Sequence, residues 1–264
     1  MRVLVLGGTG EGRALATRLA REPGLEVTTS LAGRVADPRR PPGDVRSGGF
    51  GGVDGLAAYL THRRVEAVVD ATHPFASRMT GNAVAACGRL GVPLLVLRRP
   101  GWVAAEGDDW WRVPDAVSAA SAVTRLAPEG TTVLLTLGRG GVAAFAGDDA
   151  RHYVIRSVDP PDGALPPRRT LLAARGPFTP DAERAVFREH AVAVLVTKDS
   201  GGDATAAKLI TARDAGLAVV MIDRPPLPEG ARVTRSVAGA VAWVLGRSTG
   251  PSASDSPERD IARP

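Results

Sequence analysis

A glycine-rich turn near the N-terminus is the first segment that could do chemistry. The apolar run Val3-Leu4-Val5-Leu6 is followed by Gly7-Gly8-Thr9-Gly10-Glu11-Gly12 and then by a helical pattern. A helix N-terminus offers free backbone N–H groups and a positive dipole end, and glycines let a phosphate come close to them. The spacing departs from Gly-x-Gly-x-x-Gly, because Arg13 stands at the third glycine position when the motif starts at Gly8. The turn still predicts phosphate binding by residues 7–12; the alternative is a tight turn that binds nothing.

The next predicted strand, residues 25–30, and the residues after it indicate whether NADP or NAD would bind. An NAD site usually has Asp or Glu about 20 residues after the glycines, against the ribose 2′-hydroxyl. Residues 28–34 contain no acid but include Ser30, Gly33 and Arg34. A hydroxyl and a guanidinium suit a 2′-phosphate, so we predict NADP and assign these three residues to the cofactor. The alternative for Arg34 is a solvated loop residue.

A second candidate site follows the predicted strand at residues 67–70. The segment Asp70-Ala71-Thr72-His73-Pro74-Phe75-Ala76 ends this strand, and a helix is predicted over residues 75–90. Ligands of open α/β sheets bind at the carboxyl ends of the strands. There His73 could donate a proton or hydrogen-bond a ligand, and Thr72 could contact a ribose. The alternative is a helix cap that binds no ligand.

The second half of the chain repeats this arrangement. A buried apolar strand is predicted over residues 191–197, and Lys198-Asp199-Ser200-Gly201-Gly202 follows it. Lys198 could pair with a carboxylate or phosphate or supply a proton, while a salt bridge with Asp199 is the alternative. The glycine-bearing loops around Arg139 and Arg175 also follow predicted strands. Together these loops place cations along one edge of a second sheet.

The elements that must position these residues alternate between strands and helices. Further strands are predicted around Val45 and at residues 92–97, 132–137, 154–155, 171–174 and 217–222, and further helices at 56–60, 116–126, 181–189, 204–215 and 237–245. The pattern predicts an α/β protein with two Rossmann-like, doubly wound parallel-sheet domains that face a cleft. We expect residues 1–99 to form the NADP-binding domain, 100–246 the substrate domain and 247–264 a disordered tail. Trp102, Trp110 and Trp111 indicate packing between the domains, and a ligand-facing surface is the alternative.

Composition excludes several classes of protein. The 264 residues are 44% hydrophobic and 23% charged, as in globular proteins. No apolar run reaches the roughly 18 residues of a membrane span, and the apolar run before the first glycines is too short for a secretory signal. The single cysteine excludes an internal disulfide, and the four histidines lack metal-ligand spacing, so we predict a cytoplasmic protein without a metal. The net charge of +5 permits a nucleic-acid partner, but the arginines are scattered among acids, and a polyanionic small molecule fits the charge equally well.

Five segments together resemble the precorrin-6A reductases of cobalamin (vitamin B12) biosynthesis. They are Leu6-Gly7-Gly8-Thr9-Gly10-Glu11-Gly12, Asp70-Ala71-Thr72-His73-Pro74-Phe75-Ala76, Arg175-Gly176-Pro177-Phe178, Thr197-Lys198-Asp199-Ser200-Gly201 and Ile222-Asp223-Arg224-Pro225. The resemblance spans residues 2–245 and implies hydride transfer from NADPH to a double bond of precorrin-6A, giving precorrin-6B. The expected substrate is a polycarboxylate tetrapyrrole, which agrees with the arginine-rich strand ends. Other enzymes of the pathway are candidate partners, and no nucleic acid or membrane is expected.

The resemblance also implies roles for the candidate residues. Gly7, Gly8, Thr9, Gly10, Glu11 and Gly12 would bind the pyrophosphate, and Thr72 and His73 would lie near the nicotinamide. His73 and Lys198 are the candidate catalytic residues, and bound water is an alternative proton source. The substrate carboxylates would be held by Arg139, Arg175, Lys198, Ser200 and Gly201. Two other functions stay open: an NADP-dependent reductase of a smaller substrate, and a non-catalytic protein that senses NADP.

Overall fold

Two parallel sheets of six strands each organise residues 1–33 and 41–248, the part of the chain that the computed structural model describes. The first sheet begins with a regular alternation of strands and helices. Its elements are β1 (Arg2–Leu6), α1 (Gly10–Leu19), β2 (Glu26–Leu31), β3 (Asp44–Ser47), α2 (Val53–His62), β4 (Ala67–Asp70), α3 (Ser77–Leu90) and β5 (Leu94–Leu97).

The second sheet follows in the chain and has the same architecture. Its elements are β6 (Asp109–Val113), α4 (Ala116–Leu126), β7 (Thr132–Thr136), β8 (His152–Ser157), β9 (Arg169–Ala173), α5 (Pro180–Glu189), β10 (Val192–Lys198), α6 (Ala207–Asp214) and β11 (Ala218–Ile222). The chain then returns to the first sheet with β12 (Val233–Thr234) and α7 (Val237–Ser248). The predicted fold class, with two doubly wound parallel sheets, is confirmed.

Strand order places a binding crevice in each sheet. The order is β3-β2-β1-β4-β5-β12 in the first sheet and β9-β8-β7-β10-β11-β6 in the second. The order reverses between β1 and β4 and again between β7 and β10. Ligands of doubly wound sheets bind at the carboxyl ends of the strands at such a reversal. The glycine turn after β1 and the His73 turn after β4 lie at one reversal, and the Lys198 turn after β10 lies at the other.

Apolar side chains cover both faces of each sheet, as unbroken apolar strands require. Val3 and Val5 pack on α1 and α7, whereas Leu4 and Leu6 pack on α2 and α3. In the second sheet the two faces pack against α4 on one side and against α5 and α6 on the other. No helix among residues 1–33 and 41–248 is long and apolar enough to cross a bilayer.

The C-terminal part of the chain differs from the expected division at residues 99 and 100. Strand β12 pairs with β5 of the first sheet, and Ala240 and Val244 of α7 pack in its core. Residues 233–248 therefore complete the first sheet, although we expected those up to residue 246 in the substrate domain. The cause is long-range pairing, which the local pattern does not contain. Helix α7 also continues to Ser248, so the expected tail begins later than 247, and residues 249–264 lie outside the described residues.

Three further local expectations are corrected. Trp110 and Trp111 lie on the edge strand β6, and Trp102 and Trp110 pack on the core of the second sheet, so the packing found for them is within one sheet. Helix α3 begins at Ser77 instead of residue 75, because residues 73–76 form a turn closed by the Ala76 N–H on the His73 carbonyl at 2.7 Å. The helix expected over 204–215 is a short 3-10 turn, Asp203–Thr205, followed by α6.

Candidate functional site

The glycine turn after β1 presents free backbone donors. Gly7 N–H donates to the Ser30 carbonyl at 2.8 Å, which anchors the turn to β2. The N–H groups of Gly8, Thr9 and Gly10 have no hydrogen-bond partner among the described residues. A Cβ at Gly8, whose φ is +120°, would meet nothing within 4 Å. The turn thus offers unpaired donors and open space at a helix N-terminus, which suits a phosphate.

Close packing explains the other two glycines of this turn. A Cβ at Gly12 would lie 3.3 Å from both Cβ and O of Ala71, so a larger residue there would push α1 away from the end of β4. A Cβ at Gly7 would lie 3.0 Å from Cγ2 of Thr29. The Thr9 hydroxyl caps α1 by accepting from Gly12 N–H at 3.0 Å and donates to the Ala71 carbonyl at 2.8 Å. Gly12 therefore fills the helix-packing position of a dinucleotide motif.

Buried Asp70 holds the turn after β4. Its Oδ1 accepts from the Thr72 backbone N–H at 3.0 Å and from the Thr72 hydroxyl at 2.7 Å, and its Oδ2 accepts from the Thr80 hydroxyl at 2.6 Å. These bonds link the end of the strand to α3. They place the next residue, His73, at the carboxyl edge beside β1.

His73 is a neutral imidazole at pH 7. Burial, the largest cause, and the positive charges of Arg99 and Lys198 together lower its pKa to about 3. Its Nδ1 lies 3.3 Å from the Phe75 backbone N–H and accepts from it, so the ring proton is on Nε2. His73 can therefore donate a hydrogen bond through Nε2, but it carries no imidazolium proton near neutral pH.

The ends of β2 and β3 carry the predicted Ser30 beside an arginine that the sequence analysis did not single out. Ser30 pairs with Arg46 in the parallel register, and Nη1 of Arg46 donates to Ser30 Oγ at 2.7 Å. Gly33, three residues after Ser30, has a left-handed φ of +68°. Arg34, the predicted contact for a 2′-phosphate, lies outside the described residues.

Lys198 ends β10 at the reversal of the second sheet. Its Nζ donates to the carbonyls of Leu137 at 2.7 Å and Gly140 at 3.3 Å, and it lies 5.4 Å from the centre of the Phe75 ring of the first sheet. Asp199, the alternative partner considered above, forms ion pairs with Arg112 at 3.1 Å and Arg224 at 3.6 Å. Lys198 thus lies between the two sheets, beside the turn that holds His73.

In the turn at residues 200–202, two backbone carbonyls accept hydrogen bonds from side chains, while two backbone N–H groups are left to bind a ligand. Ser200 O accepts from Nε of Arg99 at 2.7 Å, and Gly202 O accepts from Nε1 of Trp102 at 3.1 Å. The N–H groups of Gly201 and Gly202 have no hydrogen-bond partner in the described part of the chain. Both glycines have left-handed φ values, +65° and +74°. Successive amides in such a turn form a concave anion-binding surface.

The two remaining predicted arginines lie at the same edge of the second sheet. Arg139 follows β7 and pairs with Asp162 at 2.7 Å, which raises the pKa of Arg139. Arg175 follows β9 on an exposed loop, two strands beyond β7. The structure thus places Lys198, Ser200 and Gly201 together, and Arg139 and Arg175 farther along this edge.

Comparison with known proteins identifies the family. The model of the precorrin-6x reductase CbiJ/CobK family matches residues 2–245. This chain belongs to the CbiJ/CobK family. It is 55% identical to the precorrin-6A reductase of Rhodococcus erythropolis over 92% of this chain and 97% of that protein. It is 51% identical to the precorrin-6A reductase of Mycobacterium tuberculosis over 93% of this chain and 98% of that protein. A solved structure of CobK precorrin-6A reductase superposes with a TM-score of 0.86 at 43% identity, over 93% of this chain and 96% of that one.

In this CbiJ/CobK protein, arginines join the two sheets. Arg99 pairs with Glu11 of the phosphate turn at 2.7 Å, while its Nε holds Ser200. Arg224 donates to the carbonyls of Asp199, Arg99 and Pro100 at 2.7, 2.7 and 3.0 Å. The Arg99 contact brings Glu11, a predicted cofactor residue, to the second sheet.

A cavity of about 410 Å³ lies beside these arginines. Its lining includes Arg98, Arg99, Arg224 and Arg235. None of them was predicted as a site residue, although the Arg98-Arg99-Pro100 break follows a predicted strand and Arg224 lies in a segment that carries the family resemblance. Their positive charge extends the cationic edge toward the two connections between the sheets.

Proposed function

We propose that this protein is a precorrin-6A reductase that transfers hydride from NADPH to a double bond of the precorrin-6A macrocycle, giving precorrin-6B. One observation carries the proposal beyond family membership. The two strand-order reversals meet, because Arg99 contacts Glu11 of one turn and Ser200 of the other, and Lys198 lies 5.4 Å from the Phe75 ring. A nucleotide on the first turn and a polyanion on the second would lie side by side.

The first sheet fits a dinucleotide. The unpaired amides of Gly8, Thr9 and Gly10 would bind the pyrophosphate, and the tight packing at Gly12 brings α1 into position. Ser30 and Gly33 lie where the adenosine ribose of such a cofactor would be read, and Thr72 and His73 line the crevice where the nicotinamide would lie. When bound, the reduced nicotinamide supplies the hydride.

Substrate carboxylates would bind at the second sheet. The amides of Gly201 and Gly202, the Ser200 hydroxyl and the Lys198 ammonium converge at the reversal, and Arg139 and Arg175 extend the positive edge outward. Charge-assisted bonds to carboxylates are about twice as strong as neutral ones. This surface suits a ring that carries several carboxylates around its rim better than a small neutral substrate. We also propose that the enzyme acts in the cytoplasm, alongside other enzymes of the pathway.

His73 and Lys198 are the candidate catalytic residues. Neutral His73 would donate a hydrogen bond from Nε2–H to the reacting groups and orient them. Its low pKa means that the imidazolium form is not available as an acid at pH 7. The proton that follows the hydride would then come from Lys198 or from water.

Turnover of precorrin-6A with NADPH tests the proposed function. Purified full-length protein should oxidise NADPH only when precorrin-6A is present and should change the absorbance of the tetrapyrrole in step. Oxidation of NADPH by simple aldehydes but not by the tetrapyrrole would support the smaller-substrate reductase. Nucleotide binding without any turnover would support the NADP-sensing protein.

Replacing His73 should lower kcat/KM without removing an inflection from its pH profile. We expect His73→Ala to reduce kcat/KM by about 10- to 100-fold, since it removes a positioned hydrogen-bond donor. The wild-type profile of kcat/KM should show no His73 ionisation between about pH 5 and pH 8, because its pKa is about 3. Comparing the pH profiles of both proteins checks this. An inflection in that range that disappears in His73→Ala would show that the imidazole titrates during catalysis.

A further inference from the structure

The end of β3 holds an arginine placed to read the cofactor's 2′-phosphate. We propose that Arg46, together with Ser30, selects NADPH over NADH by binding the 2′-phosphate. The inference rests on the proposed use of a dinucleotide by the first sheet. It adds a specificity-determining residue that the motifs of the sequence do not mark.

Position is the first argument. In a doubly wound sheet, the residue at the end of the second strand lies against the ribose hydroxyls of the adenosine. Ser30 is next to last in β2, and Arg46 is its direct neighbour in the register with β3. The contact of 2.7 Å between Arg46 Nη1 and Ser30 Oγ puts the guanidinium beside the hydroxyl. Arg46 therefore lies at the point where NADP and NAD differ.

The guanidinium of Arg46 is held rigidly. Its Cζ lies 3.9 Å from the centre of the Phe50 ring and 5.2 Å from that of Tyr59, so two aromatic rings support it. Nη1 also donates to the Gly48 carbonyl at 3.0 Å, and Nη2 donates to the Gly49 carbonyl at 3.1 Å. A guanidinium fixed before binding loses little conformational entropy when an anion arrives.

Donors remain for a phosphate after these bonds are counted. Arginine has five N–H donors. The bonds to Ser30, Gly48 and Gly49 use both hydrogens of Nη1 and one of Nη2. The Nε–H and the second Nη2–H of Arg46 have no partner within residues 1–33 and 41–248. The Ser30 hydroxyl accepts from Arg46 and keeps its own hydrogen for donation.

Charge is the last argument. No carboxylate within the described residues forms an ion pair with Arg46, whereas Arg2, Arg89 and Arg99 of the same sheet each pair with one. Strand β2 reads Glu-Val-Thr-Thr-Ser-Leu, so its carboxyl end lacks the acid that would accept the 2′-hydroxyl of NADH and repel a phosphate. The positive charge of Arg46 is thus uncompensated where the extra phosphate of NADPH would lie.

Binding of two nucleotides that differ by one phosphate tests the role of Arg46. Calorimetry on the full-length protein should show that adenosine 2′,5′-bisphosphate binds more tightly than AMP. In Arg46→Leu the bisphosphate should bind about 10- to 100-fold more weakly, while AMP changes by less than about twofold. Arg46→Lys, which keeps the charge but not the planar fork, should give an intermediate loss. If Arg46→Leu does not fold, the weaker binding of the bisphosphate by Arg46→Lys tests the proposal instead.

The matched control is Arg18→Leu, which removes one positive charge from the exposed last turn of α1. It should leave both affinities within about twofold of the wild type, since exposed charges at a distance are screened. Equal weakening of both nucleotides in Arg46→Leu would overturn the proposal and make Arg46 a structural residue. Equal wild-type affinity for both would also overturn it, yet reduction of precorrin-6A with NADPH would leave the proposed function standing. A wild type that binds neither nucleotide would overturn both.

Discussion

Gly201→Ala should abolish turnover of precorrin-6A, whereas Gly216→Ala should leave it nearly unchanged. The two glycines have almost the same backbone conformation, with φ values of +65° and +63°. They differ in their surroundings. A Cβ at Gly216 would meet nothing within 4 Å, but a Cβ at Gly201 would collide with the Pro100 carbonyl oxygen and the Arg224 guanidinium. The pair therefore separates the cost of the backbone conformation from the cost of moving the turn.

Magnitudes decide which effect dominates. A left-handed conformation costs a non-glycine residue about 1–2 kcal/mol, and this is all that Gly216→Ala should lose. Gly201→Ala should lose about 3–5 kcal/mol, because the Arg224 bond to Pro100 must break or the turn must shift. If the turn shifts, the Gly201 and Gly202 amides no longer converge with Lys198. The substrate surface is then lost even in molecules that stay folded.

Denaturant unfolding and steady-state kinetics on both variants measure these effects. We expect kcat/KM to fall by more than about 100-fold in Gly201→Ala and by less than about twofold in Gly216→Ala. Circular dichroism at the assay temperature shows whether Gly201→Ala is folded when it is assayed. A folded Gly201→Ala with wild-type kcat/KM would show that the turn does not bind substrate.

Local signals account for what the sequence could predict. Unbroken apolar strands that end in glycine or polar turns predicted the two parallel sheets and the candidate turns at their carboxyl edges. The helix predicted over residues 181–189 is also confirmed as α5, which Thr179 caps and Pro180 begins. Each of these features lies within a few residues of its own signal.

Contacts between distant segments explain the features that could not be predicted from the sequence. Strand β12 is only two residues long and acquires its place through β5, more than one hundred residues earlier in the chain. Arg46 meets Ser30 only through the register of β2 with β3. Arg99 reaches both Glu11 and Ser200 only when the sheets meet. Specificity and assembly of the site thus depend on contacts between segments that have no motif in common.

Lys208→Met should make the protein more stable at pH 7 and remove the contribution of Lys208 to the pH dependence of its stability. Lys208 lies on α6, is 3% exposed and donates to the Thr205 carbonyl at 2.7 Å. The pKa of Lys208 is lowered from 10.5 to about 7, mainly by burial and also by the charge of Arg156, against an opposing effect of Glu183. The Arg156–Glu183 ion pair at 2.9 Å is itself buried, so Glu183 is already committed to another cation.

The sign of the effect follows from proton uptake in the two states. Between about pH 7 and pH 10.5 the unfolded lysine holds a proton that the folded lysine has lost, so the free energy of unfolding rises with pH across this window. Below about pH 7 both states are protonated, and the folded state carries the full cost of a buried charge. A folded pKa depressed from 10.5 to about 7 corresponds to a cost on the order of 5 kcal/mol. Methionine keeps the apolar stem and carries no charge.

Chemical unfolding of wild type and Lys208→Met at several pH values between about 7 and 10.5 isolates this group, because every other ionisation is shared by both proteins. We expect the stability difference to be largest at the low end and to shrink toward the high end. Leu209→Met is the matched control: it changes a buried neighbour on the same helix, should cost less than about 1.5 kcal/mol and should keep the wild-type pH dependence. A Lys208→Met protein that is less stable than wild type at pH 7 would mean that the ammonium stabilises the fold. Its bond to Thr205 and its position 4.7 Å from the Trp102 ring would then outweigh the cost of burial.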